Sequence, residues 1–282
     1  MTPNDAQLQH QITSQVSQAL AEDIGSGDIT AQLIPSSENI KANVITRENA
    51  ILCGKAWVEE VFKQLDQSVE ISWFAEEGEQ LSANQKIFSL SGNARSILTG
   101  ERCALNFLQS LSYTASVSRE YAQLVAGTKL TVLDTRKTIP GWRLAQKYAV
   151  TVGGAQNHRV GLYDAFLIKE NHIMAAGSIE NAVKKAQTIA PGKTIEVETE
   201  SLAEVEQAVE AGADIIMLDN FSLKMMEEAV STYGDKVKFE ASGNMTKQDL
   251  LNVANTGVDF VSVGALTKHL QAIDLSLRVV KD

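Results

Sequence analysis

After Gly127 the chain settles into an alternation of short apolar runs and amphipathic helical text that few folds accommodate. The apolar runs fall at residues 129–134, 165–169, 194–199, 214–219, 236–241 and 259–263. Between them lie helical stretches such as SIENAVKKAQTIA, SLAEVEQAVEAG, SLKMMEEAV and TKQDLLNVANTG. Repeated strand–helix units with apolar strands imply parallel strands joined by right-handed crossovers. GADIIMLDN and GVDFVSVGA read as two copies of one device: a helix-ending glycine, an apolar strand, then a polar residue at its carboxyl end. No dinucleotide loop opens the series, because GSGDIT at residues 25–30 follows no strand and lacks a third glycine. An α/β fold with an open or incomplete (β/α) barrel therefore fits better than a doubly wound sheet.

The first part of the chain is written differently. Leu8, Ile12, Val16 and Leu20 recur at i+4 over residues 5–22, one apolar stripe of a surface helix that Asn4 or Asp5 would cap. Residues 40–98 then break into β-like pieces (ANVITRE, AILCG, VEISWFA, KIFSLSG) around one helix at 56–65. The phrase AEEGEQLSANQKIFSLSG resembles the strand-turn-strand of lipoyl-like barrel-sandwich domains, but no lysine stands at a hairpin tip, so it reads as scaffold. Residues 99–125 predict a long helix capped by Thr99, which puts Arg102 in its first turn, where the helix dipole disfavours a cation. A cation there attends either a bound anion or a neighbouring carboxylate such as Glu101. The tail AIDLSLRVV alternates Ile273, Leu275, Leu277 and Val279 with Asp274, Ser276 and Arg278, the grammar of a half-buried antiparallel strand. We expect an N-terminal α+β sandwich domain over 1–112, joined by the tail 270–282, and a TIM-like α/β barrel over 113–269.

Charge narrows the function. The chain of 282 residues carries a formal charge of -10, yet residues 134–172 hold six lysines and arginines against three acids, a local net charge of +3. Two of the four histidines, His158 and His172, lie there as well. A cationic island in an acidic protein points to a small, highly anionic substrate, whereas nucleic acid would call for a broad basic surface. No apolar run is long enough to span a bilayer, and the start MTPNDAQLQHQ has neither the basic nor the apolar region of a secretory signal. The two cysteines, Cys53 and Cys103, have no paired spacing and predict buried free thiols of a cytoplasmic protein.

Within the barrel text, Arg136 and Lys137 follow the run ending at Leu133, and Lys169 ends the run from Ala165 to Ile168. Both lie at carboxyl ends of strands, where α/β sheets hold their ligands. Glu196 and Glu198 alternate with Ile195, Val197 and Thr199, so both carboxylates face one side, and Glu198 stands nearer the barrel mouth. Asp219 ends the next strand. Two such carboxylates suit Mg2+, which takes one or two carboxylates with waters and phosphate oxygens; pairing with Lys169 or Arg159 is the plain alternative. Ser242, Gly243 and Asn244 follow the fifth strand, and Gly264 and Ala265 the sixth, where glycines let backbone N–H groups approach a phosphate.

The strings DTRKTIPGWR, GGAQNHRVGLYDAFLIKENH, EVETESL, MLDNF, EASGN and SVGALTKH, with EDIGSGDIT and GERCALNFLQ before them, closely resemble the quinolinate phosphoribosyltransferases. The resemblance runs nearly end to end. It implies transfer of phosphoribosyl from phosphoribosyl pyrophosphate to quinolinate with loss of CO2, in a homodimer of two-domain subunits using Mg2+. It further implies that Arg136, His158, Arg159 and Lys169 hold the carboxylates of quinolinate, with Thr135 beside them and Lys137 near the reacting centre. Arg102 would enter the site of the neighbouring subunit. Glu198 and Asp219 would meet the ribose hydroxyls and the metal, and Ser242, Gly243, Asn244, Gly264 and Ala265 would surround the 5′-phosphate. Lys137, Lys169, Glu198 and Asp219 are then the catalytic candidates. Ala155 and Tyr113 stand where that family commonly has glycine, which bears on local backbone shape alone. Rival readings are a related transferase for another acid, a Schiff-base aldolase using Lys169, and a silent phosphosugar binder.

Overall fold

The computed structural model describes residues 5–243 and 245–280, which form two compact units. One contains the chain up to Arg119, the segment Ile139–Gly154 and the end of the chain from Thr267; the other contains Glu120–Thr138 and Ala155–Leu266.

In the first unit, helix α1 (Asp5–Ile24) buries Ile12, Val16 and Leu20, the stripe that its i+4 spacing predicts. The proposed cap residue Asn4 lies outside the described residues. Strand β1 (Asn39–Thr46), a short β2 (Ala50–Ile51), helix α2 (Lys55–Leu65), β3 (Glu70–Trp73), a short β4 (Gln80–Leu81) and β5 (Lys86–Asn93) follow. The main sheet is antiparallel, with β1 paired on one side to β5 and on the other to the last strand, Leu275–Val279, while β3 lies beyond β5. Val44 sits opposite both Phe88 and Leu277, so one apolar row crosses three strands. That row and the buried Trp57, Phe62 and Leu90 build a core against Ile97 and Leu105 of helix α3. Each such side chain, fully buried, contributes about 1.5–3 kcal/mol.

Helix α3 (Ala94–Leu124) corrects one expectation. It begins five residues before Thr99, because Asn93 Oδ1 accepts the N–H groups of Arg95 and Ser96 at 3.0 and 3.4 Å and caps the first turn directly off β5. Thr99 instead donates its hydroxyl to Asp28 Oδ2 at 2.8 Å. Arg102 therefore lies two turns into the helix, and the dipole argument for a cation at its start does not apply. Helix α4 (Arg143–Gly153) packs on α3 so closely that a Cβ on Gly153 would lie 2.4 Å from the carbonyl oxygen of Ala115. Arg119 fastens the pair by donating to the carbonyls of Gly153 and Val152 at 2.8 and 3.2 Å. Ala155 and Tyr113 have no positive φ, so neither position demands glycine. Cys53 and Cys103 are buried free thiols.

The second unit holds six parallel strands: β6 (Thr131–Leu133), β7 (Phe166–Ile168), β8 (Ile195–Thr199), β9 (Ile215–Asp219), β10 (Lys238–Ser242) and β11 (Phe260–Ser262). Their order is β6-β11-β10-β9-β8-β7, so the sheet is open between β6 and β7. Each strand falls on an apolar run, β10 extending one residue past its expected end. Helices Ile179–Ile189, Leu202–Ala211 and Leu223–Tyr233 are each capped by a serine, Ser178, Ser201 and Ser222, accepting an N–H from three residues on. The twin GAD and GVD phrases acquire a physical reason. Asp214 Oδ2 accepts from Ile195 N at 2.8 Å and Asp259 Oδ2 from Phe239 N at 3.0 Å, each tying its strand to the amino end of a neighbour. Among the described residues no helix is long and apolar enough to cross a membrane.

Candidate active site

The carboxyl ends of these strands converge on a cavity of about 440 Å³ within the second unit. Four cations line it: Arg136 and Lys137 beyond β6, Arg159 before β7 and Lys169 at the end of β7. Glu198 and Asp219 line it from β8 and β9, and Thr135, Ser242 and Ser262 add hydroxyls. Alternation explains the acids: Glu196 is buried deep in β8, while Glu198, two residues on, reaches the cavity. Lys169 Nζ donates to Glu198 Oε2, so the plain ion-pair reading of these residues holds in the protein alone. The Nε of Arg136 is buried without a hydrogen-bond acceptor among the described residues. A buried donor left unpaired costs about 1–3 kcal/mol, and a ligand anion would repay it.

The loop carrying His158 and Arg159 is fixed from two sides. Asp134, fully buried, accepts from Asn157 Nδ2 at 2.7 Å and from the His158 amide at 2.9 Å, while Asp164 accepts from the Val160 amide at 2.7 Å. Beneath the loop, His158 Nε2 lies 3.0 Å from Glu196 Oε2 and 3.4 Å from Glu240 Oε2. Its Nδ1 accepts the amide of Arg159 at 2.7 Å. Burial lowers the His158 pKa, but the hydrogen bond to Glu196 and the charges of Glu240 and Glu196 outweigh it and push it up to about 10. Burial, with the charge of Glu240, pushes Glu196 up to about 7 against the opposing pull of His158. His158 and Glu196 together thus retain a proton that water would release. The amide at Nδ1 disagrees with a ring protonated on both nitrogens. We assign the retained proton to Glu196, because a backbone N–H cannot turn away whereas a carboxyl group readily carries it. Burial, then the charge of Arg136, lowers the Arg159 pKa, and Glu196 and Asp164 offset part of that.

The phosphate-binding expectation meets mixed geometry. Gly243 adopts φ +144, a conformation that L side chains rarely take, and a Cβ there would also lie 3.0 Å from Asn220 Oδ1. A Cβ on Gly264 would lie 3.1 Å from Lys137 Cδ, so the glycine gives that lysine its room. Asn244 lies outside the described residues. Gly243, Gly264 and Ala265 do not line the cavity, although Ser242 does. Asp219 Oδ2 accepts from Asn220 Nδ2 at 2.8 Å, and Asn220 holds φ +55 to do so. Glu198 and Asp219, two hard oxygen donors from adjacent strands, suit a divalent cation with water and phosphate ligands. Of the cationic island, Arg143 and Lys147 belong to α4 in the other unit, and His172 takes the Lys169 amide on its Nδ1 at the start of helix Glu170–Ala176. Arg102 is also in the other unit, its side chain 59% exposed and 4.0 Å from Glu101. Sequence reading missed Glu240, Asp134 and Asp164 as site-forming residues. A glutamate inside the apolar strand text KFEAS was the available signal.

Comparison with known proteins places the chain. The family description "Quinolinate phosphoribosyl transferase, C-terminal domain" matches residues 114–278, and "Quinolinate phosphoribosyl transferase, N-terminal domain" matches residues 28–112. The solved nicotinate-nucleotide pyrophosphorylase from Francisella tularensis is 52% identical, covers 96% of this chain and 97% of its own, and superposes with a TM-score of 0.94. A probable nicotinate-nucleotide pyrophosphorylase [carboxylating] of Synechocystis is 41% identical over 94% of this chain and 91% of that protein. A chloroplastic nicotinate-nucleotide pyrophosphorylase [carboxylating] of Arabidopsis thaliana is 38% identical over 93% of this chain and 80% of that protein.

Proposed function

This chain belongs to the quinolinate phosphoribosyltransferase family, and from that premise we propose how its cavity performs the family's reaction. The enzyme is a decarboxylating pentosyltransferase of NAD biosynthesis. It joins phosphoribosyl pyrophosphate and quinolinate to give nicotinate mononucleotide, pyrophosphate and CO2. One observation carries the reading: four cations and two strand-end carboxylates face a single cavity, with a buried Arg136 donor left open.

Arg136 and Arg159 grip the quinolinate carboxylates, for which the planar guanidinium fork is suited. Lys169, freed from Glu198 by the incoming anion, adds a third positive contact. Glu198 and Asp219 take the ribose hydroxyls and would hold Mg2+, which would supply positive charge against the pyrophosphate. Pyrophosphate leaves ribose C1 through an oxocarbenium-like transition state, and the pyridine nitrogen, held in line, captures the carbon. The work is positioning and electrostatics, with no covalent enzyme intermediate. The nitrogen is then a pyridinium, so the C2 carboxylate departs as CO2 with its electron pair left in the ring, and C2 takes up a proton that Lys137 guides. The loops carrying Ser242 with Gly243 and Gly264 with Ala265 take the 5′-phosphate, Ser242 from the cavity lining itself. We further read the enzyme as a cytoplasmic homodimer in which Arg102 completes the neighbouring site; its exposure supports a role outside its own unit.

Purified protein incubated with quinolinate, phosphoribosyl pyrophosphate and Mg2+ is expected to yield nicotinate mononucleotide and CO2, and nicotinate in place of quinolinate is expected to yield neither. Borohydride trapping of a substrate on Lys169 in place of that turnover would favour the aldolase instead.

A further inference from the structure

Glu240 is a costly group for a sheet to bury. It sits mid-strand in β10, 0% exposed, and neither carboxylate oxygen makes a hydrogen bond among the described residues. The polar atom facing it is His158 Nε2 at 3.4 Å. Glu196, 3% exposed, faces the same nitrogen at 3.0 Å and leaves its Oε1 without a hydrogen bond. The strand register brings them together: Glu196 stands opposite Ile215 and Glu240 opposite Met217 on the two sides of β9. Two carboxylates under one imidazole are a poor way to stabilise a sheet, since replacing buried charges by neutral groups of the same shape is often neutral or favourable. A fold that keeps them uses them.

Both nitrogens of His158 are engaged, Nε2 by the two carboxylates and Nδ1 by the Arg159 amide, so the ring is a strut between the strand floor and the Arg159 backbone. Asp134 holds the same loop through the His158 amide. We propose that Glu240, together with Glu196, is a positioning residue for quinolinate: it seats the His158 ring, and the ring fixes the backbone from which Arg159 projects into the cavity. His158 itself lines the cavity, so this support adds to the direct substrate contact that the resemblance gives it. The proposal rests on the reading of the cavity as a quinolinate site and extends it to Glu240 in the cavity wall and Glu196 behind it.

The test uses the full chain with Glu240→Gln, which keeps shape and removes the charge. The expected result is a split: KM for quinolinate rises tenfold or more, KM for phosphoribosyl pyrophosphate changes less than twofold, and the melting temperature stays level or rises. If Glu240→Gln does not fold, Glu240→Asp carries the test, because a shorter acid keeps the charge but drops the ring, and the same KM split is expected. Unchanged quinolinate KM in an active wild-type background would overturn the positioning role alone. A fall in melting temperature of about 10 °C or more in both variants would also overturn it, marking Glu240 as a scaffold residue. Wild-type protein that makes no nicotinate mononucleotide would overturn the quinolinate reading and this proposal with it.

Discussion

Removing the Arg136 guanidinium isolates the step on which the cavity depends. In the protein alone its Nε is buried with no acceptor, so the side chain is retained at a cost that folding does not recover. Truncation to alanine should therefore leave stability within about 1 kcal/mol of wild type, the relieved donor offsetting the lost packing. Binding behaves differently. A charge-assisted hydrogen bond contributes about 1.5–3 kcal/mol, and a fork that makes two loses the sum less what Arg159 takes over. We expect a net loss of about 3 kcal/mol, or roughly 150-fold in kcat/KM for quinolinate. Arg136→Lys keeps the charge but not the fork and should lose about tenfold. The assay is initial-rate formation of nicotinate mononucleotide at saturating phosphoribosyl pyrophosphate, with a thermal melt on each variant. A kcat/KM for quinolinate within threefold of wild type in a folded Arg136→Ala protein would refute the clamp.

Gly153→Ala should cost about 3 kcal/mol, read in a melt, because its Cβ would stand 2.4 Å from the Ala115 carbonyl oxygen and 2.5 Å from Ser118 Cβ, forcing α4 off α3. Stability should fall as pH rises through the range from about 4.5 to 7. Glu196, raised from 4.5 to about 7, stabilises fully below pH 4.5 and loses that contribution as pH passes about 7, and Glu240→Gln should flatten the slope; a rise in stability over that range would contradict the assignment. Burial holds the Cys53 thiol well up, and burial with the charges of Asp23 and Glu22 pushes Cys103 up to about 11, so neither should react with a disulfide reagent at pH 8 until the protein is unfolded.

What the sequence made legible was local or repeated. Apolar runs located all six barrel strands, because a strand buried on both faces writes its limits as hydrophobicity. The position of Arg136, Lys137, Lys169, Glu198 and Asp219 at strand ends followed from the same runs. The start of α3 was misplaced because Asn93, the residue whose side chain caps it, belongs to the preceding strand; Thr99 looked the better cap by type. The supports of the site were hidden for another reason. Asp134 and Asn157 lie 23 positions apart, and Glu240 and His158 lie 82 positions apart (240 − 158), so no window along the chain holds both partners. A residue-by-residue resemblance carries over positions, but it does not tell which face of an imidazole is already taken.

The acids and cations of the cavity are best understood as one electrostatic object. Arg136, Lys137, Arg159 and Lys169 converge in about 440 Å³, and their mutual repulsion would scatter four flexible side chains in the absence of ligand. Two devices restrain them. Lys169 is paired with Glu198, an exchangeable contact at the mouth that a substrate anion can replace. Arg159 is braced through its own backbone by the His158 ring and the acids of the cavity floor, a contact made by the fold before any substrate binds. The first device sets how much binding energy is spent on freeing a cation, the second how little is spent on ordering one. Neutralising Glu198 and neutralising Glu240 should therefore act oppositely on Lys169 and Arg159: the former loosens a lysine while leaving the arginine fork in place, and the latter loosens the fork while leaving the lysine pair intact.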